Sequence, residues 1–407
     1  MIDLTWLLLI PAIVVLSYPL HAAWLFRRQQ RALRPATGCP QGCRISLIVP
    51  VRGLDEEVEA NLASWLDQDL PRPWELLVCV EDEDDPVVSV IRRVQAVRGD
   101  GLRLLITGRG HASLGKMHNL LSGIAAARGD LFVFVDSDAR FPDLTYLQRF
   151  VRPLADPAVG LVTCYPAYRG ARSLGAALAG LAINNDMLGF MGVTGTWSRL
   201  RLAVGTTLAM RRDTVEALGG LEFLRRQLLM DVTLARQVST TGLRVHLCPE
   251  PVGVHLQRSS VAAALQQADR WHIGMHQVLP WPVLLLYLGL RSTLPLAAVA
   301  AAVAGSLLPV ALGAAFIAVR VVVAAVVNHT YLHDPSLRRH FWLVPLVDLV
   351  MFASAISALL RRRIRWRGRS YQIGRGGVAV GEITGDETLA APASRWAGVH
   401  TGPGAKS

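Results

Sequence analysis

Residues Phe132-Val133-Phe134-Val135-Asp136-Ser137-Asp138 join four apolar positions to an Asp-x-Asp pair. The apolar run predicts a buried strand, and the pair falls where that strand must end. Asp136 and Asp138 alternate with Ser137, so both carboxylates can turn toward the same side of a sheet's carboxyl edge. Two hard oxygen donors there suit Mg²⁺ or Mn²⁺ holding a diphosphate; taken alone, the pair would serve equally as a polar turn before a helix. Upstream, Glu81, Asp82, Glu83 and Asp84 end another apolar run, as solvated loop acids also would. Downstream, Asp231 follows Leu228-Leu229-Met230 at the start of a helical stretch, where it could be an N-cap. Gln267-Ala268-Asp269-Arg270-Trp271 is a Q-x-x-R-W. Its arginine can supply two-pronged hydrogen bonds and charge to a diphosphate, while an amphipathic helix at a membrane surface would carry the same tryptophan.

Other short motifs carry less. Gly110 to Lys116 fits G-x-x-x-x-G-K, but a phosphate loop needs Ser or Thr next to ligate Mg²⁺, and Met117 stands there. His272 and His276 share a helical face at zinc spacing, with no third ligand in view, so an interfacial helix face is favoured. The five cysteines, Cys39, Cys43, Cys79, Cys164 and Cys248, are sparse and odd in number, which makes no disulfide framework. Cys79, Cys164 and Cys248 sit in apolar runs as small core residues.

Strands must carry these groups to a common edge. Ile45–Val51, Glu75–Val80, Leu104–Ile106 and 131–135 read as strands, separated by helices over 55–66, from about Val87, and over 117–128. Strands alternating with helices predict an α/β fold with a parallel sheet and ligands at its carboxyl edge. A second half, with strands near 160–165, 204–210 and 244–248, precedes a helix starting near Ser259.

The 407 residues are 52% hydrophobic with a net charge of +11, and their mean hydropathy is +0.34. A soluble enzyme is seldom so apolar, and a membrane bundle is seldom so charged in its middle. The arginines cluster beside apolar runs without the aromatic interleaving of RNA readers, so no nucleic-acid partner is expected. Residues 4–26 carry no charge and are long enough to span a bilayer; Arg27, Arg28, Arg31 and Arg34 follow, placing the next domain in the cytosol. The expected organisation is an anchor over 1–30, a catalytic domain over 44–277 ending in an interfacial helix, and membrane helices over 278–362. A basic aromatic motif over 363–382 and a disordered tail over 383–407 follow. Candidate spans near 281–302, 305–327 and 341–360 raise a parity problem, because three crossings would put the arginines from Arg361 to Arg369 outside.

The acidic strand end, D-x-D, lone Asp231 and Q-x-x-R-W, in that order, resemble family 2 glycosyltransferases and most closely their ceramide glucosyltransferase group. The resemblance covers about residues 45–372 and implies a nucleotide-diphosphosugar transferase (GT-A type) fold with flanking transmembrane helices. It implies transfer of a hexose, glucose first, from a UDP-sugar to a lipid hydroxyl such as ceramide, by a multi-pass enzyme of a bacterial inner membrane. Hopanoid-type lipid glycosyltransferases share these motifs, and processive polysaccharide synthases do so with more spans. In this likeness Asp82 and Asp84, Asp82 preferred, contact the nucleotide; Lys116 and Asn119 form a Lys-x-x-Asn donor loop; Asp136 lies by the nucleotide; and Asp136 with Asp138 holds Mg²⁺ or Mn²⁺. Asp231 is the general base, Gln267 and Arg270 serve the diphosphate, and Trp271 walls the acceptor. Gly205-Thr206-Thr207 resembles the acceptor loop. Trp366-Arg367-Gly368-Arg369-Ser370-Tyr371 resembles a C-terminal aromatic-basic motif, with juxtamembrane charge as the equal alternative.

Overall fold

The computed structural model describes residues 43–384, except 56, 71–72, 100, 111–112, 198–201, 280, most of 293–306 and some side chains including those of 186–197, together with Trp24, Glu387 and Thr388. The expected anchor over 1–30, apart from Trp24, and the tail from 389 lie outside the described residues.

The first half alternates strictly: β1 (Ile45–Val51), α1 (Val58–Leu66), β2 (Trp74–Val80), α2 (Pro86–Arg98), β3 (Leu102–Ile106), α3 (Gly115–Ala126) and β4 (Leu131–Val135). β1 and β4 are buried along their whole length, which is why their sequences are continuous apolar runs. α2 opens on Asp85, whose carboxylate accepts from Val87 N at 3.0 Å, with Pro86 at the first helical position. α1 starts three residues later than expected, which leaves Asp55 in the loop at the end of β1.

The second half is β5 (Ala139–Arg140), α4 (Tyr146–Val151), β6 (Val159–Arg169), α5 (Leu174–Trp197), β7 (Thr207–Arg211), α6 (Arg212–Ala217), α7 (Met230–Thr240), β8 (Arg244–His255) and α8 (Val261–Val278). The eight strands order as β3-β2-β1-β4-β7-β6-β8-β5. β7 runs antiparallel to both β4 and β6, so the expected parallel sheet is in fact mixed. Nothing local to the 207–211 run signals that reversal; it arises because the connection through α5 leaves the chain at the same carboxyl edge where β6 ends, so β7 starts there and runs the other way. α5 itself was not anticipated.

Beyond α8 come α9 (Trp281–Arg291), α10 (Leu308–Val326), α11 (Val344–Ala358) and a small antiparallel sheet of β9 (Arg363–Trp366), β10 (Arg369–Ile373), β11 (Ala379–Thr384) and β12 (Glu387–Thr388). The order therefore continues past the expected boundary at 382. Among the described residues two helical stretches, Leu308–Thr330 and Arg338–Ala358, are long and apolar enough to cross a membrane. α9, at 11 residues, is not.

Both ends of α11 meet the catalytic unit. Before it, Leu332 packs with Tyr165 and Ala167 of β6, and Ala171 N donates to Ser336 Oγ at 3.1 Å. After it, Arg361 donates to both oxygens of Asp269 on α8 at 2.7 and 3.0 Å. Between those points Ala268 packs against Leu343 and Val347.

Candidate active site

The carboxyl ends of β1 and β4, the loop before β7, the start of α7 and one face of α8 enclose a cavity of about 690 Å³. Asp136 and Asp138 both line it, as their alternation with Ser137 predicts. The Asp136 carboxylate pairs with the Lys116 ammonium at the start of α3, and its N–H donates to Thr206 O at 3.0 Å. Asp138 is enclosed beside two other acids. Desolvation first, then the charges of Asp136 and Asp55, push its carboxyl up to about 6, against the opposing pull of Arg367 and Lys116.

Asp231 lies in the first turn of α7, but Leu229 is the N-cap, so the capping alternative does not describe it. Its Oδ2 accepts from Gly205 N at 2.7 Å and its Oδ1 from Val232 N at 2.9 Å. Burial raises its carboxyl above the ordinary value, opposed by the Val232 amide, the Lys116 charge and the Gly205 amide. A Cβ at position 205 would come within 3.2 Å of Asp231 Oδ2, so any larger residue there would press on that carboxylate. Gly205 and Thr206 thus tie the two acids, Asp231 and Asp136, to one loop.

The Q-x-x-R-W face of α8 turns toward the same cavity. Gln267 Nε2 donates to Tyr168 OH at 3.1 Å. The Arg270 guanidinium lies over the Trp366 ring at 4.8 Å, and Trp271 packs against Tyr168, Ile183 and Val254. Asn119 is buried and fully engaged: Nδ2 donates to Val51 O and Cys79 O at 3.3 and 3.1 Å, and Oδ1 accepts from Thr107 Oγ1 at 2.6 Å. It joins the ends of three strand-loop connections.

Asp82 and Asp84 are placed differently from the expectation. Both are exposed and neither is among the residues that line the cavity; Asp84 N donates to Asp82 Oδ1 at 3.0 Å. Glu81, one position earlier, lines it instead, with Arg369 donating at 2.5 and 3.1 Å. Asp55 also lines the cavity, and Arg367 donates to its two oxygens at 2.9 and 3.2 Å. Asp55 stands directly beyond β1, at the sheet edge that singled out Asp136, and that position was its available signal.

Arg367 and Gly368 form the two-residue turn between β9 and β10, at φ 48° and 79°. A non-glycine residue in left-handed backbone is held there by its surroundings. The aromatic-basic motif therefore closes over the cavity and is more than juxtamembrane charge. His272 and His276 share no metal: His272 bonds Ser354 Oγ and Tyr287 OH at 2.8 and 2.7 Å, and His276 bonds Ala355 O at 2.8 Å.

Residues 4–379 match the family described as glycosyl transferase family 21. The chain belongs to that family. The ceramide glucosyltransferase likeness read from the motifs is borne out at this level. Similar proteins include a ceramide glucosyltransferase of Komagataella phaffii, 30% identical over 104 residues, covering 24% of this chain and 20% of that protein. Ceramide glucosyltransferase 1 of Caenorhabditis elegans is 20% identical over 56% of this chain and 48% of its own length. A probable glycosyltransferase of Bacillus subtilis is 21% identical over 58% of this chain and 56% of its own. The matched stretches thus span between a fifth and somewhat over half of these relatives. Among solved structures, a mannosyltransferase from Pyrobaculum calidifontis in complex with GDP-Man and Mn²⁺ superposes with a TM-score of 0.55 at 24% identity, covering 86% of this chain and 99% of that one. That likeness shows the fold, a GT-A-like mixed α/β sheet.

The donor set of this family 21 chain fits a divalent cation of the kind expected. Asp136 and Asp138 offer two hard carboxylates, and Asp138 is held against the charge of its neighbours in a way a cation would relieve. Among the described residues no three His, Cys, Asp or Glu side chains gather closely enough to hold an ion alone. A magnesium-type site needs only one or two carboxylates when substrate phosphates complete it.

Proposed function

We propose that this family 21 protein is a membrane-bound inverting hexosyltransferase, which moves glucose from UDP-glucose to a hydroxyl of a lipid drawn from the bilayer. The observation that carries the proposal is the Gly205–Thr206 loop, which holds Asp231 and Asp136 in one cavity with Arg270. Asp231 takes the proton from the acceptor hydroxyl as its oxygen bonds to the anomeric carbon. The bond from that carbon to the β-phosphate oxygen breaks, and its electron pair leaves with UDP. One displacement without a covalent intermediate inverts the configuration. Arg270, fixed against Trp366, and Lys116, free to exchange Asp136 for phosphate, neutralise the departing diphosphate. Asp136 and Asp138 would hold Mg²⁺ or Mn²⁺, which when bound adds further charge at that diphosphate.

Support for a lipid acceptor comes from the far wall of the cavity, which is built from α9, α10 and α11. Ceramide is the acceptor named for two of the relatives. The test is UDP release from UDP-glucose by purified full-length protein, with and without ceramide and other hydroxylated lipids. Release stimulated by a lipid supports the proposal; no release with any of them sinks it.

A further inference from the structure

Asp269 and His272 of α8, Ser354 of α11 and Tyr287 of α9 form one hydrogen-bonded row across three helices. Asp269 holds Arg361 through both oxygens and accepts from Ser354 Oγ at 2.6 Å. Ser354 Oγ meets His272 Nδ1 at 2.8 Å, and His272 Nε2 meets Tyr287 OH at 2.7 Å. The row has a direction. A carboxylate paired with arginine only accepts, so the single hydroxyl hydrogen of Ser354 goes to Asp269. What Ser354 then offers His272 is a lone pair, and Nδ1 must carry the imidazole hydrogen. His272 is 3% exposed. Burial first, then His276, against the pull of Asp269, bring its pKa down to about 4, so the ring is neutral and Nε2 is bare. Tyr287 therefore donates its only hydroxyl hydrogen to His272.

Asp269 and Ser354 are not among the residues that line the cavity, whereas His272 and Tyr287 both are, so the row ends in the cavity wall. Among the described residues Tyr287 has no hydrogen-bond partner besides His272. Its ring is further held by the His272 ring at 5.4 Å and the Arg291 guanidinium at 5.1 Å. A phenol whose hydrogen is committed keeps its oxygen lone pairs for another donor. A clasp between helices needs no such ending, and every polar group buried in it costs free energy unless it is bonded. We propose that the Tyr287 phenol oxygen accepts a hydrogen bond from an N–H or O–H group that the lipid carries beside its reacting hydroxyl, and that Asp269, Ser354 and His272 position it as an acceptor. The inference rests on the lipid-acceptor reading above and narrows it to lipids with a second donor group near the hydroxyl that meets Asp231. Ceramide carries two such groups, an amide N–H and a secondary hydroxyl. Arg270 and Trp271, the two residues before His272, line the same cavity, so α8 serves both the diphosphate and this recognition point.

The test is lipid binding to full-length protein in neutral detergent without UDP-glucose, so it needs no turnover. Three lipids are titrated against the thermal unfolding midpoint, which a ligand of the folded state raises. They are ceramide, its ester analogue with oxygen in place of the amide N–H, and its analogue without the secondary hydroxyl. One analogue should bind about 3–10-fold more weakly than ceramide, the worth of a neutral hydrogen bond, and which one it is identifies the donor. Tyr287→Phe should weaken ceramide by the same factor and remove its advantage over that analogue. Ser354→Ala keeps the phenol but lets the imidazole hydrogen move to Nε2 and the phenol hydrogen turn to the cavity. It should narrow the same difference, and it serves as the deciding variant if Tyr287→Phe does not fold. Equal binding of all three lipids by the wild type, or binding of none, overturns the proposal, as does a difference that persists undiminished in the folded variant. An equal loss on every lipid in folded Tyr287→Phe would make the row a clasp between helices and overturn it too. Tyr287-dependent discrimination without UDP release would leave this site standing and remove the transferase reading.

Discussion

A carboxylate takes a proton from an alcohol best when it is desolvated enough to be basic yet held in one orientation. Asp231 meets both conditions, through burial and through the amides of Gly205 and Val232. Asp231→Asn keeps the shape and removes the basicity, so kcat should fall by about 10²–10⁴-fold while UDP-glucose still binds. Near-normal kcat would move the base elsewhere. The shift also sets the pH profile: a base must be ionised to act, and a raised carboxyl loses its proton at higher pH than a free aspartate. The acid limb of kcat/KM should therefore lie above the ordinary value of 3.8, and a limb at or below it would contradict the assignment. Asp138→Ala should abolish turnover with the fold retained, and a chelator should do the same to the wild type, with Mn²⁺ or Mg²⁺ restoring activity. Full activity in chelator would remove the metal from the mechanism. Asp136, Asp138 and Asp231 were legible because each ends an apolar run, where a chain has few other reasons to place an acid. Glu81 and Arg367 stood in stretches that the sequence marks, the acidic strand end and the aromatic-basic motif, but the pairs Asp55–Arg367 and Glu81–Arg369 were not legible, because their members lie 312 and 288 residues apart.

At the scale of elements, the small C-terminal sheet is fastened to the catalytic domain by the Arg369–Glu81 pair, whose side chains are 10% and 7% exposed. Removing one member of a buried pair strands the other charge, at a cost of about 3–5 kcal/mol. Arg52, 3.8 Å from Glu81, softens that loss, so Arg369→Met should cost about 3 kcal/mol, the lower end of the range. Adding Glu81→Gln should recover most of it. Thermal unfolding of the single and double variants measures both, and an additive double variant would show that the pair does not hold the sheet. The same scale explains which elements the chain announced. β1, β2 and β4 are short apolar runs bounded by polar loops, the pattern of strands buried on both faces. α5 escaped because its stretch 175–184 is buried at every position: Ala177, Leu178, Leu181 and Ala182 cluster with residues of α8 and the α11 region, while Ala179 and Ile183 cluster with Tyr168 and Val254. Periodicity cannot reveal a helical stretch that has no solvent face.

At the scale of the whole molecule, the parity problem is one of where the helices begin and end. Three complete crossings would separate the arginines after α11 from the catalytic domain, yet Arg367 and Arg369 bond to Asp55 and Glu81 in its cavity. The helix contacts account for this. Arg291 and Arg320 meet at Asp348, so the end of α9 and the middle of α10 lie at one depth. Leu308 begins α10 twelve residues before Arg320, about 18 Å farther along the helix, and Asn328 at its other end bonds Asn184 at 2.7 Å. We propose that the chain goes out through α9 and returns through α10, while α11 starts and finishes against the catalytic unit. Such a path would give no net crossing and would leave the arginines on the side that the positive-inside rule prefers. Single cysteines at the exposed positions Val97, Arg339 and Leu360, with Cys39 and Cys43 replaced by serine, should behave alike. All three should resist an impermeant maleimide in intact cells and react after lysis. Labelling of Leu360 in intact cells while Val97 stays protected would mean that the segment from 279 to 359 makes an odd number of crossings, and the arrangement of α9, α10 and α11 would have to be abandoned.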